Sequence, residues 1–292
     1  MNYRAAVCFL VLVCCGISGT LCGAESLAPG AGHFLFLDGP KDDQHKITVW
    51  YYLPTDFKAD GNVVFVMHGV NRNGDDYRDN WIELAQKKNF LILAPQFSDE
   101  EYPSSLRYQQ GNILREDGSP NDKSEWSVTA IDRIFDHVVL QQRLKAKDYV
   151  IFGHSGGAQF VHRMALLYPE ARARLVITAN AGWYTMPERS IAYPYGLQNT
   201  PIDEATLKTT LKQRVIVLLG EEDTDSEHRH LRRTPEAMAQ GKHRLERGQA
   251  FFAHAQSKAA DLGVPFRWKL VTVPNVAHEN AKMAIAAAKL IE

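Results

Sequence analysis

A strand-like apolar run, residues 149–152, passes directly into Gly153-His154-Ser155-Gly156-Gly157 and then into a helix-like stretch, 158–167. A Gly-x-Ser-x-Gly pentapeptide in that setting holds a serine on a tight strand-to-helix turn, with glycines where side chains would strike neighbouring elements. The chemistry such a serine does is nucleophilic attack. A hydroxyl is a poor nucleophile until a base takes its proton, so an imidazole must reach it, oriented in turn by a carboxylate. Eleven histidines compete for that part. A Gly-rich turn without catalytic work is the other reading of the pentapeptide.

Three more places carry residues of the right type. His278 stands in Val273-Pro274-Asn275-Val276-Ala277-His278-Glu279-Asn280, past the last apolar run and before the last helical stretch; its alternative is a polar helix N-terminal residue. In Val215-Ile216-Val217-Leu218-Leu219-Gly220-Glu221-Glu222-Asp223 an apolar run and a Gly turn lead to a carboxylate, with Asp225 as a rival. Asp223, Asp225, Glu227, His228 and His230 also admit a metal cluster. They lack a helical His-Glu-x-x-His frame, which favours a solvated polar loop. Finally, residues 63–67 run into His68-Gly69-Val70-Asn71-Arg72-Asn73-Gly74. Acyl transfer builds negative charge on a carbonyl oxygen, and a Gly-containing turn after a strand can aim backbone N–H groups at it.

Positioning these residues requires a scaffold. The apolar runs 63–67, 90–94, 149–152, 175–178, 215–219 and 268–273 read as strands buried on both faces. Residues 33–38 and 47–53 read as an opening hairpin, while 76–88, 127–144, 158–167, 247–262 and 279–291 read as helices. Alternation of buried strands with helices predicts an α/β fold, a mostly parallel central sheet covered on both faces. Ligands in such sheets bind beyond the carboxyl ends of the strands, where all four motifs fall. Three long irregular segments lie there too: 96–125, 183–213 and 221–242. The second is rich in aromatics and Met, so Trp183, Tyr184 and Met186, with Tyr193 and Tyr195, are candidates for a pocket wall over an acyl or aryl group. Self-packing of the loop is the alternative. Tyr102, Tyr108 and Trp126 carry the same two readings, and Arg72 or Arg107 could meet a substrate carboxylate.

Composition narrows the classes. The 292 residues carry 33 Lys plus Arg against 34 Asp plus Glu, a net charge of −1, which gives no field for a nucleic-acid partner. The 45% hydrophobic content excludes disorder. Residues 1–24 read as a signal peptide: Arg4, then the apolar stretch 5–17, then small residues Cys22 and Ala24 before the cut. The alternatives, a membrane anchor and a lipoprotein signal, fit less well, because Gly16, Ser18 and Gly19 interrupt the run and no Leu-x-small-Cys box precedes Cys22. All four cysteines lie in this leader, so the exported chain would have neither disulfides nor thiolate sites. No membrane span is expected after cleavage, and the product is expected to be periplasmic or secreted.

Together these residues resemble the α/β-hydrolase superfamily, and within it secreted bacterial serine esterases related to polyhydroxyalkanoate depolymerases and feruloyl esterases, over about residues 48–291. The resemblance implies one α/β-hydrolase domain, 25–292, and the chain order serine, acid, histidine. It makes Ser155 the nucleophile, Asp223 the acid ahead of Asp225, and His278 the base. His68 precedes the serine and His154 adjoins it, so neither fits. His68-Gly69-Val70 resembles the oxyanion loop, with the N–H groups of Val70 and Gly156 as the expected donors. The implied reaction is hydrolysis of a small-molecule or polymer ester through an acyl-enzyme, without cofactor or metal. Such depolymerases often carry a cysteine where Val70 stands, a departure that weighs against a polymer. A peptidase or acyltransferase would use the same triad. A non-catalytic binding protein of this fold would typically lack a triad member, and none is missing.

Overall fold

The computed structural model describes residues 26–42 and 44–292; the expected leader, 1–24, lies outside them. Eight strands form one sheet in the order β1-β2-β4-β3-β5-β6-β7-β8. They are β1 (Gly30–Asp38), β2 (His45–Leu53), β3 (Asn62–Met67), β4 (Phe90–Gln96), β5 (Tyr149–His154), β6 (Ala173–Ala179), β7 (Val215–Gly220) and β8 (Lys269–Val273). The first two form the expected hairpin, with Gly30 opposite Leu53 and Asp38 opposite His45. β2 runs antiparallel to β4, and every pairing from β4 to β8 is parallel.

The uninterrupted apolar runs of β3, β4, β5 and β7 follow from burial on both sides, whereas β8, expected to be buried likewise, is an edge strand with none of its five residues buried. Along β3, Val63, Phe65 and Met67 enter one core and Val64 and Val66 the other. The first core is closed by α4 (Ala130–Gln142), α5 (Gly156–Leu167) and α8 (Arg244–Asp261), through Ile134, Phe160 and Phe251 among others. The second is closed by α1 (Gly74–Asp79), α2 (Ile82–Lys88) and α9 (Asn280–Lys289), through Tyr77, Ala85 and Met283. Every residue of α5 is buried, since this helix lies under loops as well as on the sheet.

Several elements differ from the sequence pattern. The single helix expected over 76–88 is two, broken at Asn80 and Trp81, and the fully buried Trp81 indole packs against Phe152 with ring centroids 5.3 Å apart. The helix expected from 127 opens with a tight 3-10 turn, Ser127–Thr129, before α4 begins. The irregular segments hold short helices: α3 (Ser104–Arg107), α6 (Glu204–Leu211) and α7 (Pro235–Ala239). Two of these starts carry caps legible in the sequence. Asp203 accepts from the Thr206 N–H, and Thr234 accepts from the Ala237 N–H with Pro235 in the first turn.

Candidate active site

Ser155 sits between β5 and α5 with φ 57° and ψ −114°, a left-handed conformation that costs energy in a residue with a side chain. The surrounding packing enforces it. A Cβ on Gly153 would lie 2.3 Å from the Gly157 carbonyl oxygen, so only glycine lets the strand turn this sharply into the helix.

β3 delivers the next piece. The Val70 nitrogen lies 3.0 Å from where a Gly156 Cβ would be, which brings the His68-Gly69-Val70 turn against the N-terminus of α5. Val70 and Gly156, the two expected donors, are thus neighbours beside Ser155. His68 itself is buried and structural. Its Nδ1–H donates to the Gly69 carbonyl at 2.9 Å and its Nε2 accepts from the Phe97 N–H at 3.0 Å; burial, with a smaller push from Arg72, outweighs the Gly69 bond and lowers its pKa to about 3, so the ring is neutral. Tyr108 donates to the His68 carbonyl at 2.7 Å.

The loops after β7 and β8 meet at one point. Glu221 and Glu222 donate backbone N–H bonds to the carbonyls of Val273 and Val276. Asn180, fully buried at the end of β6, accepts from the Gly220 N–H at 2.9 Å and donates to the Ala277 carbonyl at 3.2 Å. Asn180 therefore clamps the acid-bearing and histidine-bearing loops. It sits among chemically silent residues in the sequence, which gives no cue to this part. In the resulting geometry His278 Nδ1 lies 2.7 Å from Asp223 Oδ2, and His278 Nε2 lies 3.0 Å from Ser155 Oγ. Asp223 is 2% exposed, whereas Asp225 is exposed and accepts from the Glu227 N–H. A hydroxyl, an imidazole and a buried carboxylate thus stand in line beside the Val70–Gly156 backbone.

Over Ser155 opens a cleft of about 250 Å³, lined by Val70, Asn71, Tyr77, His154, His228, Arg229, His230 and His278 among others, with no Asp or Glu on its wall among the described residues. His154 is buried with its ring 4.5 Å from that of His278, and burial, reinforced by His278 and Arg244, holds it neutral. Its Nδ1 pairs with the Tyr77 hydroxyl at 3.3 Å. Asp225, Glu227 and their histidine neighbours do not converge: among the described residues no group of three or more such side chains could hold a metal ion.

The aromatic-rich segment lies elsewhere. Trp183, Tyr184 and Met186 are buried and are not among the residues lining the cleft. Trp183 is packed between the guanidinium groups of Arg163 and Arg232, at 4.1 and 4.6 Å from its ring, and Tyr184 stacks on Phe251 at 4.5 Å. Tyr193 donates to the Gln110 carbonyl. Arg72 is committed to the carbonyls of Phe97, Tyr102 and Ser104, while Arg107 lines a different cavity beside Asn112 and Glu125. Tyr102 bonds Asp38 and Trp126 bonds the Asn121 carbonyl, both from buried positions.

The sheet order and this cleft at the strand ends define an α/β-hydrolase. No protein-family model and no curated protein matches the chain. Among solved structures, poly(aspartic acid) hydrolase-1 from Sphingomonas sp. KT-1 superposes with a TM-score of 0.88 at 45% identity, over 91% of this chain and 99% of that one. LpqC, a poly(3-hydroxybutyrate) depolymerase from Bordetella parapertussis, gives 0.86 at 34% identity, over 90% and 89%. An S-formylglutathione hydrolase from Agrobacterium tumefaciens, at 15% identity and 0.56, shares the fold. The chain belongs to the family of α/β-hydrolases that holds poly(aspartic acid) hydrolase-1 and the LpqC depolymerase. No helix among the described residues is long and apolar enough to cross a membrane.

Proposed function

We propose that this chain is an exported serine hydrolase that cleaves carboxylic ester bonds through an acyl-enzyme. The observation that carries the reading is the unbroken path from Ser155 Oγ through His278 to Asp223, at 3.0 and 2.7 Å. Ser155 attacks the carbonyl carbon while His278 Nε2 takes the hydroxyl proton. The Val70 and Gly156 N–H groups receive the charge on the carbonyl oxygen, each such donor contributing about 3 kcal/mol to the transition state. His278 then passes its proton to the leaving oxygen, and water, deprotonated by the same nitrogen, releases the acyl group. Export rests on the residues 1–24 alone.

A second reading, cleavage of amide bonds in an acidic polymer, is favoured by the cleft wall. Arg229, His228 and His230 stand on it without any carboxylate, a setting suited to an anionic chain. Two relatives are named for polymers, one of them polyanionic, which supports a polymer substrate against the departure at Val70. Fluorophosphonate labelling of the wild type and of Ser155→Ala tests the chemistry: the wild type should label at one site and the variant not at all. Turnover of short neutral esters against poly(aspartic acid) then separates the two readings. An unlabelled wild type, or a labelled Ser155→Ala, rejects the nucleophile.

A further inference from the structure

Behind the acid lies a cation that the reaction as described does not use. Arg244 opens α8 at 1% exposure, against 2% for Asp223. Its Nη1 stands 3.5 Å from Asp223 Oδ1, the carboxylate oxygen that His278 leaves free. Its Nη2 donates to His228 Nδ1 at 3.1 Å, and the His230 backbone N–H reaches the same nitrogen at 3.2 Å. With two donors converging on it, Nδ1 must be the bare nitrogen, so the proton of the neutral ring is on Nε2. His228 lines the cleft with its ring edge-on to His278, centroids 5.2 Å apart. Burial, followed by Arg244 and His278, keeps it below the ordinary imidazole range.

We propose that Arg244 is a positioning residue of the catalytic chain: its guanidinium, spanning Asp223 and His228, pairs with the acid's free oxygen, offsets the acid's charge at His278, and fixes His228 as an N–H donor on the cleft wall. This rests on the serine-hydrolase reading. A carboxylate stripped of water is not restored by one hydrogen bond, and an unpaired buried charge is strongly unfavourable. Besides His278, Arg244 is the cation at ion-pair distance from Asp223 among the described residues. Without it the full field of Asp223 falls on His278, which then holds a proton to higher pH and cannot accept the one from Ser155. The other titratable or charged groups near this cluster are His230 and Asp225 from the loop after β7, His154 from β5, Tyr184 from the loop after β6 and Arg247 on α8 itself. None of them replaces a cation on Asp223.

The test is the pH dependence of kcat/KM on a neutral ester, and of fluorophosphonate labelling, between about pH 5 and 9. Wild type, Arg244→Gln and Arg244→Lys are compared, each with its unfolding curve. Arg244→Gln should move the acid limb up by about one pH unit. Arg244→Lys should leave the limb in place but raise KM several-fold, since one ammonium cannot fork to His228. Nitrogen-15 imidazole spectra of the wild type should show His228 as the Nε2–H tautomer, a readout that stands even if Arg244→Gln does not fold. A folded Arg244→Gln with an unmoved limb, or an Nδ1–H His228, overturns the proposal while wild-type labelling and turnover leave the serine-hydrolase reading intact. A wild type that neither labels nor turns over ester overturns that reading and the proposal with it.

Discussion

A Cβ placed on Gly157 would lie 2.0 Å from the carbonyl oxygen of Met67. The end of β3 and the first turn of α5 are therefore in direct backbone contact. Met67 leads straight into His68-Gly69-Val70, and Gly157 follows Ser155 and Gly156, so this contact sets the spacing between the proposed nucleophile and the proposed oxyanion donors.

Gly157→Ala should accordingly damage both stability and rate. The obstacle is the Met67–His68 backbone, so relief requires the helix to shift, at a cost of about 1–3 kcal/mol or more. For a domain of this size that lowers Tm by roughly 2–4 °C per kcal/mol. A shift of even ~1 Å misaligns the donors, with a loss in kcat of order a hundredfold. Calorimetry and single-turnover kinetics on one sample check both. A normal kcat would show that the β3–α5 contact does not set the oxyanion geometry.

The two acids are separated by burial. Asp223→Asn removes the acceptor 2.7 Å from His278 Nδ1 and should cost about 10⁴ in kcat by favouring the wrong imidazole tautomer. Asp225→Asn alters an exposed side chain that accepts only from the Glu227 N–H and should cost less than about tenfold. Steady-state kinetics of the two variants decide, and the reverse ranking would make Asp225 the acid.

Stability should fall on mild acidification. His68 is held near 3, and His154 and His162 are held well below the ordinary value, in all three cases chiefly by burial. His162 donates from Nδ1 to the Ala158 carbonyl and accepts at Nε2 from the Thr185 N–H, so a second ring proton would face an N–H donor. Below a pH of about 6.5 the unfolded chain protonates these rings and the folded protein does not. The unfolded state then binds more protons, and stability drops as pH falls, by up to about 1.4 kcal/mol per pH unit for each imidazole. Urea unfolding at about pH 7.5, 6 and 5 measures the slope, above the range where most carboxylates titrate. His162→Gln, whose amide donates and accepts without titrating, should make it shallower by about one imidazole's share. A flat wild-type profile would contradict the assignment.

Trp183→Ala should be a stability variant. Its ring is 3% exposed and packed between Arg163 and Arg232, so truncation empties a core site at about 3–5 kcal/mol. KM for a small ester should stay near the wild-type value at a temperature where the variant is folded. A large rise in KM with unchanged Tm would return Trp183 to the substrate wall.

Much of the fold was legible because it depends on local pattern. Residues 63–67 and 215–219 read as strands buried on both faces, since a parallel strand between two helix layers needs apolar side chains on both sides. The serine turn was legible because Gly153 and Gly157 meet obstacles within a few residues or one strand away. Ser155, Asp223 and His278 could be named from residue type and from their places after apolar runs, although 123 residues separate Ser155 from His278. Only tertiary structure decided what surrounds them. Asn180 and Arg244 meet the candidate site through contacts that span 16 to 97 residues of sequence and are set by packing of separate elements, and nothing in their neighbours' types announces it. Trp183, Tyr184 and Met186 show the converse. An aromatic-rich loop has the same composition whether it walls a cleft or fills a core, and the choice fell to Arg163, Arg232 and Phe251, whose positions come from other elements of the fold.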